Sequence, residues 1–229
     1  MSGPAEKAQG QQGQQGQQGQ QGQQGQQGPD RDQRPYFDAL YAASDDPYAS
    51  RQRWYEARKR AVLLAALPQP RFRRAYEPGC GIGELTLALA QRCDELLASD
   101  FNAQAVALAR QRTEAMTNVQ VARHTLPADW PHDAGGFDLI VLSEVGYFLP
   151  RSDMQRVAEC CALSLDDDGT LVACDWRPDF EQRSLATKDV QGILAELGLA
   201  RLVLHEEDDF VLQLWSRDAR SVAQREGIR

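Results

Sequence analysis

The segment Glu77-Pro78-Gly79-Cys80-Gly81-Ile82-Gly83 is the stretch of this chain best suited to holding a ligand. Its glycines let the backbone turn sharply and approach a ligand with no Cβ in the way. Asp100 follows about twenty residues on, where an acidic side chain closing the next strand accepts hydrogen bonds from ribose hydroxyls. A glycine loop alone also describes a tight strand-to-helix turn, so the acid is what points to a nucleoside. Further along, Ser143-Glu144-Val145-Gly146-Tyr147 follows an unbroken apolar run. Glu144 therefore sits just past a strand end, where a carboxylate can accept or orient a proton. It can equally be a solvated loop residue or a ligand contact, and Tyr147 either shapes a pocket or simply packs.

These residues need elements to place them. Helical and strand patterns alternate after residue 35, which predicts an α/β fold with a mainly parallel sheet. Residues 36–67 read as helix, broken near Asp46-Pro47 and stopped before Pro68. Strands are expected at 74–77, 96–99, 119–123, 137–143 and 170–175. Residues 137–143 form a continuous apolar run, as in a strand buried on both faces. Helices are expected at 84–92, 103–115, 151–165 and 188–197, the last closed by Gly198. Residues 201–205 and 210–215 read as a closing strand pair whose hairpin turn is the acidic run 206–209.

The first 33 of the 229 residues are different, with Gln-Gln-Gly repeated from Gln9 to Gly28. That repeat has no apolar side chain to offset the entropy of ordering, so it reads as a flexible tail. Four segments result: tail 1–33, helical cap 34–70, main domain 71–217 and flexible C-terminal tail 218–229. Net charge is −8, with no basic run beyond Arg58-Lys59-Arg60 and the patch 71–74, which argues against nucleic acid as a partner. No apolar run approaches the ~20 residues that span a bilayer, and the N-terminus lacks the features of a signal peptide. The five cysteines lack metal-type spacing and read as buried thiols in a reducing cytoplasm. No metal site is expected.

Two cofactors compete for the glycine loop. A dinucleotide needs Gly-x-Gly-x-x-Gly so that its pyrophosphate sits on the helix N-terminus. This chain has Gly-x-Gly-x-Gly followed by Glu84, whose carboxylate would repel a pyrophosphate. S-adenosylmethionine carries an ammonium, a carboxylate and a sulfonium but no phosphate, and Glu77 suits the cationic amino acid end.

The loop, Ser99-Asp100 and Phe137-Asp138-Leu139-Ile140-Val141 resemble class I methyltransferases, and more narrowly the NodS-type nodulation N-methyltransferases. Supporting segments are Asp46-Pro47-Tyr48, residues 54–60, Asp129-Trp130-Pro131 and residues 143–149. The resemblance covers about residues 36–216. The family's histidine is absent at Gln191, and the glutamine-glycine tail is foreign to it. The resemblance implies a Rossmann-like sandwich with a seven-stranded, mostly parallel sheet and an antiparallel closing strand. It implies S-adenosylmethionine as cofactor, held by Glu77, Gly79, Gly81, Gly83, Asp100, Phe101, Thr125, Leu126 and Ser143; Arg58 either pairs with the cofactor carboxylate in a bidentate way or belongs to a solvated basic face. Glu144 is the candidate catalytic residue, and Tyr147, Trp54 and His205 are candidates at the acceptor. The implied acceptor is the amino group of an amino sugar or deacetylated oligosaccharide. A small-molecule O-methyltransferase and an inactive cofactor-binding protein are the alternatives.

Overall fold

The computed structural model describes residues 32–229. The tail expected for 1–33 therefore lies, up to residue 31, outside the described residues. Two cap helices come first, α1 (Arg34–Ala43) and α2 (Trp54–Ala66). The break between them has a local cause. Asp46 Oδ1 accepts from the Ser50 backbone N–H and hydroxyl, both at 2.8 Å, and Oδ2 accepts from Arg51 N–H at 3.1 Å. Such side-chain bonds to nearby backbone compete with helix.

Strands and helices then alternate: β1 (Phe72–Pro78), α3 (Glu84–Ala90), β2 (Cys93–Asp100), α4 (Ala103–Arg112), β3 (Val119–Arg123), β4 (Phe137–Ser143), α5 (Arg151–Ser164), β5 (Leu165–Trp176), α6 (Thr187–Ala195), β6 (Ala200–Glu206) and β7 (Phe210–Ser216). They build one seven-stranded sheet in the order β3-β2-β1-β4-β5-β7-β6. It is parallel except for β7, which runs antiparallel to both β5 and β6. This is the fold class expected from the sequence.

Several boundaries differ from expectation, among them these three. Helix α4 ends at Arg112 because Thr113 turns its hydroxyl back onto the Ala109 carbonyl at 2.8 Å. Strand β5 begins at Leu165, which pairs with Phe137 before the ladder shifts register, so the acidic turn at 166–169 lies within the strand. Residues 218–229, read as a tail, include a short helix α7 (Val222–Arg225) with a Ser221–Gln224 capping box.

The core divides around the sheet. One face packs Tyr76, Ile140, Leu142 and Trp215 against Met154 and Val157 of α5 and Leu194 of α6. The other packs Leu139, Val141, Val172 and Leu214 against Leu63 of α2 and Leu89 of α3. Every residue of β4 from Phe137 to Leu142 is buried, as its apolar run predicts. Among the described residues, no helix is long and apolar enough to cross a membrane.

The strand order reverses between β1 and β4, where open α/β sheets leave a ligand crevice at the carboxyl ends. Those two strands share only the register pairs Ala75↔Leu139 and Tyr76↔Ile140. Below them a buried carboxylate replaces the ladder: Asp138 Oδ2 accepts from Arg73 N–H at 2.7 Å and Oδ1 from Arg74 N–H at 2.9 Å. Asp138→Ala strands both donors. Hydrogen bonds to a charged group contribute ~1.5–3 kcal/mol each, so a loss of about 3–6 kcal/mol is expected in urea unfolding, with an unchanged denaturant slope.

Candidate active site

A cleft of about 1020 Å³ opens where β1 and β4 part, roofed by the cap helices. Its sheet side is the loop after β1. Gly81 there has φ +53, a conformation that favours glycine, and a Cβ would meet only the Tyr41 hydroxyl at 3.4 Å. Gly83, at φ +84, serves packing instead: a Cβ would meet the Ala109 backbone of α4 at 3.1 Å.

Asp100, at the end of β2, ties this loop down. Its Oδ2 accepts from Gly81 N–H at 3.0 Å and its Oδ1 from Asn102 N–H at 2.9 Å. Burial raises its carboxyl above the ordinary value, opposed by those backbone donors. A carboxylate has about four acceptor positions, so these backbone donors leave room for a ligand hydroxyl. Glu77 is fully buried beneath the loop, and its Oε2 has no partner. Burial pushes its carboxyl up to about 8 against the influence of the neighbouring Thr86 hydroxyl, with Asp100 adding to the rise. An orphaned buried carboxyl oxygen, a bare glycine turn and a partly free Asp100 fit a ligand with a cationic end and ribose hydroxyls. That is the chemistry of S-adenosylmethionine.

Glu144 stands across the cleft, just past β4, with φ +60, an uncommon conformation for a side chain other than glycine. Its side chain explains why that backbone is tolerated. Oε1 accepts from Lys59 Nζ at 2.6 Å. Oε2 accepts from the Tyr147 hydroxyl in a short bond and from Trp176 N–H at 3.1 Å. Lys59 is a buried lysine that also meets Glu56 at 3.3 Å and lies 5.1 Å from the Tyr55 ring. Burial works against its charge, but Glu144 and Glu56 outweigh that and hold its pKa above the ordinary lysine value.

Glu77, Gly79, Gly81, Asp100, Phe101, Thr125, Leu126, Ser143, Glu144 and Tyr147, all singled out from the sequence, line this one cleft. Four others do not. Gly83 packs against α4. Arg58 makes a bidentate pair with Glu207 on the β6–β7 turn, at 2.7 and 2.6 Å. His205 joins the same carboxylate at 2.6 Å and stacks on Phe210. Trp54 opens α2 and is 77% exposed. The reason is helix phase: α2 turns Tyr55, Lys59 and Leu63 inward, which leaves Arg58 and Trp54 facing elsewhere. Sequence reasoning missed Lys59 and the aromatic wall of Tyr36, Phe37, Tyr41, Tyr48, Phe148, Trp176 and Phe180. The signal for Lys59 was its place four residues from both Tyr55 and Leu63.

Residues 75–169 match the family described as a methyltransferase domain. A Pseudomonas syringae structure described as a methyltransferase is 49% identical, with a TM-score of 0.64 across 72% of this chain and 99% of that one. The N-methyltransferase NodS from Bradyrhizobium japonicum WM9, solved with S-adenosyl-L-homocysteine, shares the fold. It is 24% identical, with a TM-score of 0.69 across 80% of this chain and 96% of that one. Nodulation protein S from Rhizobium tropici is 31% identical over 117 residues, 51% of this chain and 48% of that protein. The chain thus spans about half the length of that relative. The chain belongs to the class I S-adenosylmethionine-dependent methyltransferases. Within them it resembles the NodS proteins.

Two neighbours on α2 are expected to behave differently. Lys59→Met leaves Glu144 and Glu56 without their counter-charge. Breaking a buried pair removes ~3–5 kcal/mol; the carboxylates here are partly exposed, so about 2–4 kcal/mol is expected in urea unfolding. Arg58→Ala removes only a half-exposed pair outside the cleft. Calorimetric titration of adenosylhomocysteine should give a dissociation constant within about twofold of the unaltered protein.

Proposed function

We propose that this protein transfers a methyl group from S-adenosylmethionine to an amino group of a small acceptor, such as an amino sugar or the deacetylated end of an oligosaccharide. The cleft lining carries the amine reading: nine Asp and Glu side chains against four Lys and Arg, among ten aromatic rings. Carboxylates and aromatic faces both attract cations. A NodS-like relationship favours the same acceptor class.

The cofactor supplies a methyl group already activated by a sulfonium, so the protein's task is alignment and exclusion of water. Glu77 faces the cationic amino acid end, Asp100 holds the ribose hydroxyls, and Phe101, Thr125, Leu126 and Ser143 border the nucleoside. Gly79 and Gly81 let the backbone come close. On the other wall, three donors occupy three of the roughly four acceptor positions on Glu144. The fourth receives an N–H of the acceptor. An ammonium must shed a proton before its nitrogen can attack, and Glu144 orients that nitrogen and takes the proton. Tyr147, bonded to the same carboxylate, shapes the acceptor pocket.

The direct test is tritiated-methyl transfer to amino sugars, chitooligosaccharides and phenols. Label on amines alone supports the proposal; label on phenols alone replaces it with O-methylation. Two variants separate the roles. Asp100→Ala removes bonds that do not change during reaction, worth ~1.5–3 kcal/mol, so adenosylhomocysteine should bind roughly ten- to a hundredfold more weakly. Glu144→Gln should keep that affinity and lose about 10²-fold in turnover, recovering partly at high pH, where free amine forms unaided. Loss of affinity with turnover intact would move Glu144 to the cofactor's shell.

A further inference from the structure

Behind Glu144 lies a second pair of polar side chains that the proposed reaction does not use. Asp175, on β5, and Gln191, on α6, are both buried and do not line the cleft. Gln191 Nε2 and Asp175 Oδ2 are 2.6 Å apart. Each side chain also has an oxygen with no partner, Asp175 Oδ1 and Gln191 Oε1. Two bare buried acceptors and one donated bond leave the pair short of a proton. Turning the Gln191 amide over, an assignment set by bonding pattern rather than shape, puts its oxygen against Asp175 Oδ2 and its nitrogen where Oε1 finds no donor. A protonated Asp175 then donates to it.

The residues on either side of Asp175 hold Glu144. The Cys174 carbonyl accepts the Glu144 backbone N–H at 2.9 Å, and Trp176 N–H donates to Glu144 Oε2 at 3.1 Å. We propose that Asp175 is a positioning residue for Glu144 and acts as a neutral carboxylic acid whose proton is shared with Gln191. This rests on the proposed role of Glu144 at the acceptor. Neutrality matters because of the surrounding charges. Glu144 from the β4 end, Lys59 from α2, Arg183 from the loop before α6 and Tyr147 from the turn after β4 all act on or feel Asp175. Lys59 already balances Glu144 and Glu56, so a further anion at Asp175 would repel Glu144 out of register. Burial pushes the Asp175 carboxyl up to about 8, Glu144 adds to that, and Gln191, Arg183 and Lys59 oppose it.

The sign of the linked stability follows. The unfolded chain releases this proton near the ordinary aspartate value of ~3.9, whereas the folded protein keeps it to about 8. Stability from this group is complete at low pH, falls as pH rises between those values and levels off above. Asp175→Asn keeps the neutral shape and cannot ionise. Its melting temperature relative to the unaltered protein should climb from about pH 5 to about pH 8 and then stay constant. A difference independent of pH overturns the proposal. Carbon-13 titration of the aspartate carboxyls in the unaltered full chain decides the matter should the variant not fold. The Asp175 signal should remain that of an acid at neutral pH and move near pH 8; a carboxylate signal at about pH 6 refutes the idea. Neither measurement needs activity, so failure of the methyl-transfer reading is distinguishable. With an accepted amine, the turnover ratio of Asp175→Asn to unaltered protein should be flat below about pH 7 and rise several-fold above pH 8. A flat ratio throughout removes the positioning role.

Discussion

Lys59 cannot enter the protein interior without counter-charges, and that requirement fixes how the cap meets the sheet. Its ammonium is held by Glu56 on its own helix and by Glu144 at the end of β4. Because α2 is rigid over that turn, satisfying Lys59 also sets Tyr55 edge-on to Trp176 and Phe210, and seats Leu63 in the core. On the sheet side the pair holds Glu144 in its left-handed backbone conformation, with Tyr147 and Trp176 completing the grip. One ion pair thus joins the roof of the cleft to its floor. Its value lies in where it fixes these elements, since a buried ion pair is weak evidence of net stability.

The other half of the cleft depends on short-range constraints. Asp100 bonds the backbone of the glycine loop and of the first residues after β2, so loop and strand end are one unit. That unit was legible in the sequence because its rules act over a few residues: glycine spacing, an acid at a strand end, an apolar run for β4. The mostly parallel sheet and its antiparallel closing strand followed from the alternation of elements and the family resemblance. Two of the boundaries that moved did so through single residues, the Thr113 hydroxyl on the Ala109 carbonyl and Leu165 in the ladder beside Phe137.

The acceptor side was less legible. Arg58 and Lys59 are adjacent cations in a run of three, and their roles are separated by about 100° of helix rotation. Only the tertiary position of Glu144 and Glu207 decides which carboxylate each one meets. Trp54 and His205 have chemically suggestive side chains, yet the start of a helix and an edge strand turn them away from the cleft. The aromatic wall draws on α1, the loop after it, the turn after β4 and the segment before α6. No local window contains that arrangement.

Helices α1 and α2 contribute no strand, and the sheet's hydrogen-bond ladder runs without them. The wall holding Asp100 and the glycine loop comes from β1 to β3 and the loops between them, while the cap supplies much of the wall opposite. A protein divided this way can diversify on one side at little risk to the other. Substitutions among the other residues of 34–66 can reshape the cleft's outer wall, provided Lys59 keeps its two carboxylates and Phe37, Tyr41 and Leu63 keep their places in the packing. Cap and sheet are largely separate stretches of the chain, and they meet at one ammonium group and at a few buried side chains.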